Sequence, residues 1–193
     1  VTRIYPIVEG HGEVGAVPAL IRRVNQALPS PLWSLTVEAP LRRSADRLKA
    51  GELEKEVQLA TKKLRGQPGG ILVLLDCEDD CPATLGPQLL ARARTVTHLP
   101  LGLALAYREF ESWFMAVAET LIPGAQPFGQ FEARRDAKGW LTQQMGQKYS
   151  EQVHQERFTA QMDLPLARAR SDSLDKCARE IEFLIDALRS AAE

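Results

Sequence analysis

The chain of 193 residues is long enough for one sizeable core, and its 45% hydrophobic and 25% charged residues are those of an ordinary globular protein. No apolar run reaches the roughly 20 residues that span a bilayer, and residues 1–8 lack the basic start and long apolar stretch of a secretory signal; a non-membrane, cytoplasmic protein is expected. A formal net charge of −1 gives no global electrostatic reason for nucleic-acid binding, and three cysteines make no disulfide framework.

Residues 2–8, TRIYPIV, read as a short strand in which Pro6 favours a sheet edge or an irregular start. The glycines that follow, Gly10, Gly12 and Gly15, spell G-x-G-x-x-G and would let the backbone turn sharply off that strand. Residues 16–28 carry apolar side chains at the spacing of an amphipathic helix, with Pro18 in its first turn. Residues 32–41 suggest a second strand, and 44–64 a mostly helical stretch with Ser44 as its cap. After GQPGG, the apolar run at 71–75 reads as a central strand covered on both faces. A helix over 84–97 and a buried strand over 99–107 complete a β-α-β-α-β-α-β order. Beyond it, EFESWFMAVAETLI at 109–122 reads as a helix apolar on most sides, 123–131 as a loop, and 136–193 as helical with breaks near Gly146 and Pro165. The expected fold class is α/β: a Rossmann-like, mostly parallel four-stranded sheet flanked by helices over residues 1–122, with a helical C-terminal extension, 123–193, packed on the same core.

Functional groups of open α/β sheets gather beyond the carboxyl ends of the strands. Glu9 ends the first predicted strand, Asp76 the third, and Glu109 follows the fourth. Side chains two apart on an extended backbone share a side, so Asp76 and Glu78 can face one ion, with Asp79 and Asp80 adding charge. Crowded carboxylates raise one another's pKa or take up a cation. An all-oxygen donor set favours Mg²⁺, with Mn²⁺ as a substitute, while the spacing of Cys77 and Cys81 does not suit zinc. The plainer alternative for DCEDD is a solvated acidic turn with no ion. A dinucleotide-binding reading of the glycine loop has Glu38, about 20 residues on, as a ribose-binding acid, but Glu9 and Glu13 would repel a pyrophosphate at that helix start. Basic stretches at 41–49, 61–65 and 166–172 contrast with the acidic block, a separation that suits metal-dependent work on phosphodiesters.

Three segments in order, IVEGHGEVGAVPALIRR, ILVLLDCEDD and AYREFESWFMA, resemble the Toprim domain of overcoming-lysogenization-defect nucleases and of related stand-alone bacterial domains. The resemblance spans roughly residues 2–118 and implies a Toprim-like fold and Mg²⁺-dependent phosphodiester hydrolysis of nucleic acid. It places a general acid/base or metal ligand at Glu9, the second acid of the nuclease motif at Glu13, and metal ligands at Asp76 and Glu78, where Glu stands in place of the usual Asp. Asp80, Glu109 and Glu111 are further candidate ligands, although an acid at Glu111 also suits a helix start. Arg42, Arg43, Lys138 and Arg168 are candidates for backbone contacts with nucleic acid. Similar domains work beside an ATPase partner in defence modules, and this chain carries no G-x-x-x-x-G-K-[ST] loop of its own. A non-catalytic binding or regulatory subunit, or a nucleotidyl transferase, would share the same acidic pocket.

Overall fold

The computed structural model describes residues 2–64 and 66–191, in which helices cover both faces of one parallel sheet. In chain order the elements are β1 (Thr2–Val8), α1 (Glu13–Ala27), β2 (Leu35–Val37), β3 (Leu41–Arg42), α2 (Ala45–Arg47), α3 (Leu53–Lys63), β4 (Gly69–Asp76), α4 (Pro82–Arg94) and β5 (Leu101–Ala106). The C-terminal part adds α5 (Ser112–Met115), α6 (Ala137–Met145), α7 (Glu156–Gln161), α8 (Leu164–Arg170) and α9 (Asp172–Ser190). The strand order is β2-β1-β4-β5, with β3 also beside β1, and every pairing is parallel. This is a Rossmann-like α/β arrangement of five strands.

The period-two alternation of the strands sorts their side chains between two apolar layers. Ile4, Val8, Leu72, Leu74, Ala104 and Ala106 join α1, the 110–122 segment and the C-terminal helices in one layer. Tyr5, Ile7, Ile71, Val73, Leu75, Leu103 and Leu105 join α3 and α4 in the other. Each fully buried Leu or Ile here contributes about 1.5–3 kcal/mol. The last helix belongs to the first layer as fully as α1 does: Ile181, Leu184 and Ile185 are buried together with Val17, Leu20 and Ile21.

Small residues set how closely α9 lies on the sheet. A Cβ on Gly70 would stand 3.1 Å from Leu184 Cδ2, and one on Gly102 would stand 3.2 Å from Glu180 Cβ and 3.3 Å from the Glu180 carbonyl oxygen. The apolar but small GLALA run of β5 is therefore a seat for a helix.

Several elements differ from the sequence expectation. The predicted strand over 32–41 is split in two, and Pro6 lies in the interior of the sheet, not at its edge. The two facts are linked. Arg3 N–H donates to Pro68 O on the β4 side, whereas the Ile4 and Val8 carbonyls accept from Glu38 and Arg43 on the other side. By alternation the donor missing at Pro6 faces the β2/β3 side, opposite the interruption between Val37 and Leu41. Helix α1 begins at Glu13, so Pro18 lies inside it, not in its first turn. The 44–64 stretch is broken by a wide turn over Leu48–Glu52, where Gly51 has φ 128°, and Ser44 occupies the cap position without a side-chain cap bond. The 109–122 segment shortens to α5 plus a single turn at Ala118–Thr120, with Phe110, Trp113, Phe114, Met115 and Val117 all buried. No helix among the described residues is long and apolar enough to cross a membrane.

Replacing Gly102 by Val should push α9 off the sheet and cost about 1–3 kcal/mol. Urea denaturation of the variant measures this; an unchanged midpoint would show that α9 is not seated through that glycine.

Candidate functional site

Strands β1, β4 and β5 present their carboxyl ends on one side of the sheet, and Glu9, Asp76 and the 107–111 turn leave from those ends. The start of α1, the start of α6 and a wide helical turn over Glu151–Gln155 close over them. Asp76 is the centre of the group. Phe110 N–H donates to its Oδ1 at 2.9 Å. Burial, followed by the facing charges of Glu13, Glu111 and Glu9, holds its carboxyl well above the usual range against the pull of Lys138.

Glu13 is the first residue of α1 and is buried, and its Oε2 accepts the Glu9 backbone N–H at 2.9 Å. Burial pushes its pKa up to about 7, with the charges of Glu9 and Glu151 adding to the rise and the Glu9 and Gly10 amides opposing it. Glu111 is also buried and accepts the Tyr149 hydroxyl at 3.2 Å. Burial pushes it up to about 7 even though Lys138 draws it down. Glu9 is half-buried and raised by burial; the backbone amides of Ala45 and Asp76 favour its charged form, and Glu78 opposes them. Its Oε2 is buried with no hydrogen-bond partner.

One cation enters the group. Lys138 forms an ion pair with Glu151. Burial alone would lower its pKa, but Glu111 and Glu151 outweigh burial and the net shift is upward. Tyr149 is held above its ordinary value by burial and by the adjacent Glu111. Among the described residues, Lys138 is the ammonium within the group and Lys49, paired with Asp80, acts on Glu9 from its margin, so protons retained by the acids or a further cation must balance the remaining charge of Glu9, Glu13, Asp76, Glu111 and Glu151.

Of the residues expected from sequence, Glu9, Glu13, Asp76 and Glu111 come together. Glu78 does not share the side of Asp76. The strand ends at Asp76, Glu78 takes a left-handed φ of 53°, and its exposed side chain is near Glu9 instead. Asp80 is drawn off by Lys49 at 2.8 Å, and Asp79 pairs with Arg108 and Arg135. Glu109 Oε1 accepts the backbone N–H groups of Asp136 at 3.1 Å and Ala137 at 3.3 Å, fixing the start of the helix that carries Lys138. Among the expected basic contacts, Arg42 is exposed at the carboxyl end of β3. Arg43 is taken by Glu56 at 2.7 Å, Arg168 by Asp175 at 2.9 Å and Glu182 at 2.5 Å, and Lys138 lies inside the acidic group.

The glycine loop has a different reason from the one expected. Positive φ is absent at Gly10, Gly12 and Gly15, so no special turn requires them. A Cβ on Gly12 would overlap Gln155 Oε1 and lie 2.8 Å from the Glu151 carbonyl oxygen, and one on Gly15 would overlap the Glu156 carboxylate. The glycines make room for the segment that delivers Glu151. No family model, curated protein or solved structure matches the chain.

The donor set suits a hard divalent ion: carboxylate oxygens only, crowded enough to raise one another's pKa, with one buried oxygen unpartnered. Among the described residues no three His, Cys, Asp or Glu side chains are already gathered around a single point, and the Glu13 and Asp76 oxygens are held by backbone amides instead. Glu151 and Tyr149 escaped the sequence reading because they precede or begin a helical turn far along the chain, and Glu151 looks there like any helix-start acid.

Protons retained by Glu13 and Glu111 in the folded chain are released on unfolding at any pH above about 4.5, so stability falls as pH rises from about 4.5 through about 7. In chelator, urea denaturation between pH 5 and 7 should show a loss approaching about 1.4–2.7 kcal/mol per pH unit, the value for one to two linked protons. The Glu13→Gln/Glu111→Gln double variant should flatten the profile. Stability that is level or rising over this interval in the unaltered protein would contradict the buried acids.

Proposed function

We propose that this protein is a Toprim-like nuclease that hydrolyses phosphodiester bonds in nucleic acid with a divalent cation, Mg²⁺ or Mn²⁺, alongside an ATPase carried by a partner chain. The observation that carries the reading is the half-buried Asp76, its carboxyl held well above the usual range and facing Glu9, Glu13 and Glu111 at the carboxyl ends of parallel strands. Glu9, Glu13 and Asp76 would hold the ion, with Glu78 and Glu111 at its margins. Bound there, it would supply charge to polarise a phosphate and to steady the leaving oxygen. Glu9 Oε2, unpartnered in a carboxyl that burial raises in pKa, would serve either as a ligand of the ion or as the acceptor of a proton from an attacking water. Phe110 N–H fixes the Asp76 carboxyl, and the Glu9 amide fixes Glu13, so neither acid needs to be ordered at the moment of reaction. Arg42, exposed at the end of β3, can hold a backbone phosphate.

A second reading has its own support. Lys138 and Glu151 form a pair within the acidic group, and protonated Glu13 and Glu111 reduce the remaining charge, so the centre can be balanced without an ion. On that reading the chain is a non-catalytic binding or regulatory subunit.

Incubation with supercoiled, linear and single-stranded DNA and with RNA, in Mg²⁺ or Mn²⁺, separates the two. The nuclease reading expects cleavage reduced at least about 100-fold in Glu9→Gln and in Asp76→Asn, together with calorimetric metal binding that Asp76→Asn weakens. No cleavage by the chain with or without an added ATPase partner, combined with no metal binding, favours the subunit. Incorporation of nucleotides in place of cleavage would point to a nucleotidyl transferase.

A further inference from the structure

Strand β5 forms one edge of the sheet, and its only strand partner among the described residues is β4. Ile71 N–H donates to Pro100 O and Cys77 N–H to Ala106 O, so the even-numbered positions along β5 face β4. The N–H and C=O groups of Leu103 and Leu105 therefore face away from the sheet, and no hydrogen bond among the described residues uses them. They open onto a groove of about 550 Å³ whose walls are α4 on one side and the first half of α9 on the other. The floor is recessed: Leu103 is 5% and Leu105 6% exposed, although their strand is an edge.

Three properties define what fits. The unpaired main-chain groups call for another main chain, because an apolar small molecule would leave them desolvated without partners. The rim carries the carboxylates of Glu132, Asp172 and Glu180 against the single ammonium of Lys176, which Glu180 already neutralises. Since Gly102 on β5 packs against Glu180, and Asp172 begins α9, Glu132 and Asp172 mark the other end of the groove, near Tyr107. A second copy of this chain would bring an edge recessed between its own α4 and α9, and two sunken edges cannot meet before their helices collide. A protruding extended segment can enter.

We propose that the β5 edge is a docking site for an extended peptide of a partner protein, which adds to the sheet as a further strand through the main-chain groups of Leu103 and Leu105. Its alternate apolar side chains lie against the α4 wall, and a basic residue at one end meets Glu132 and Asp172. This site is separate from the acidic centre, and its test is independent of any cleavage activity.

The probe is a fluorescein-labelled Lys-Val-Thr-Val-Thr-Lys peptide, with a Glu-flanked twin and a twin in which Pro replaces the second Val. Fluorescence anisotropy should show saturable binding of the Lys-flanked peptide below about 1 mM, with both twins weaker. Hydrogen exchange at the Leu103 and Leu105 amides should slow when it binds. Glu132→Gln/Asp172→Asn should weaken it about fivefold, as expected for two exposed charge pairs. Gly86→Trp should abolish binding while circular dichroism shows the fold intact, because a Cβ at Gly86 meets only Leu105 Cδ1 at an ordinary 3.8 Å and the ring would fill the groove. Absence of binding, equal binding of the Glu- or Pro-containing twin, or indifference to Gly86→Trp would overturn the proposal. A concentration-dependent dimer that Gly86→Trp dissociates would also overturn it, assigning the edge to a second copy.

Discussion

The approach of the Glu151–Gln155 turn to the glycine-bearing start of α1 is the contact on which the acidic centre depends. Gly12 and Gly15 present bare backbone, so the turn settles where a methyl group would exclude it. That closeness carries Glu151 towards Glu13 and gives Lys138 its partner. The apolar layer shared by α1, α7 and α9 holds the two stretches together from behind, with Phe158 edge-on to Phe114 and Arg23 donating to the Thr159 carbonyl. The centre is thus assembled from both ends of the chain, and a change that loosens α7 from α1 would loosen the acids without touching one of them.

The electrostatic character of the centre follows from this enclosure. Carboxyls at strand ends are commonly solvated, but here burial is the leading cause of the rise at Asp76, Glu13 and Glu111 alike. At Asp76 the facing charges of Glu13, Glu111 and Glu9 come second, whereas backbone amides oppose the rise at Glu13 and Lys138 opposes it at Glu111. The exposed Asp79 behaves in the opposite way, held below its ordinary value by Arg135 and Arg108. The acidic block therefore divides at Cys77, with Asp76 turned into the acidic centre and Asp79 and Asp80 towards basic side chains at the surface.

The sequence made the layered architecture legible because strand and helix periods are strong signals. The apolar run at 71–75 did become a strand covered on both faces, and Glu9 and Asp76 did become neighbours through the pairing of β1 with β4. What sequence patterns could not show were effects created by tertiary contact. Pro6 gave a correct signal about a missing donor but a wrong one about position, since the interruption fell in its neighbour strand. The G-x-G-x-x-G spacing suggested a turn or a phosphate, whereas its reason is a segment of chain far away in sequence. Arg43 and Arg168 looked available for nucleic acid until Glu56 and the α9 acids were seen to engage them. Glu151 and Tyr149 carried no pattern that would separate them from ordinary surface residues.

The interruption opposite Pro6 also gives the sheet a direction in which it can grow. On the β2/β3 side the outermost strand is two short fragments of three and two residues, too brief and too broken to template a run of main-chain pairing with a neighbour. On the β5 side the ladder is continuous and open only between two helical walls. Uncontrolled edge-to-edge stacking of identical molecules needs both margins of a sheet to be receptive. This molecule offers one, so any strand it recruits terminates the sheet there and cannot propagate a fibre through it.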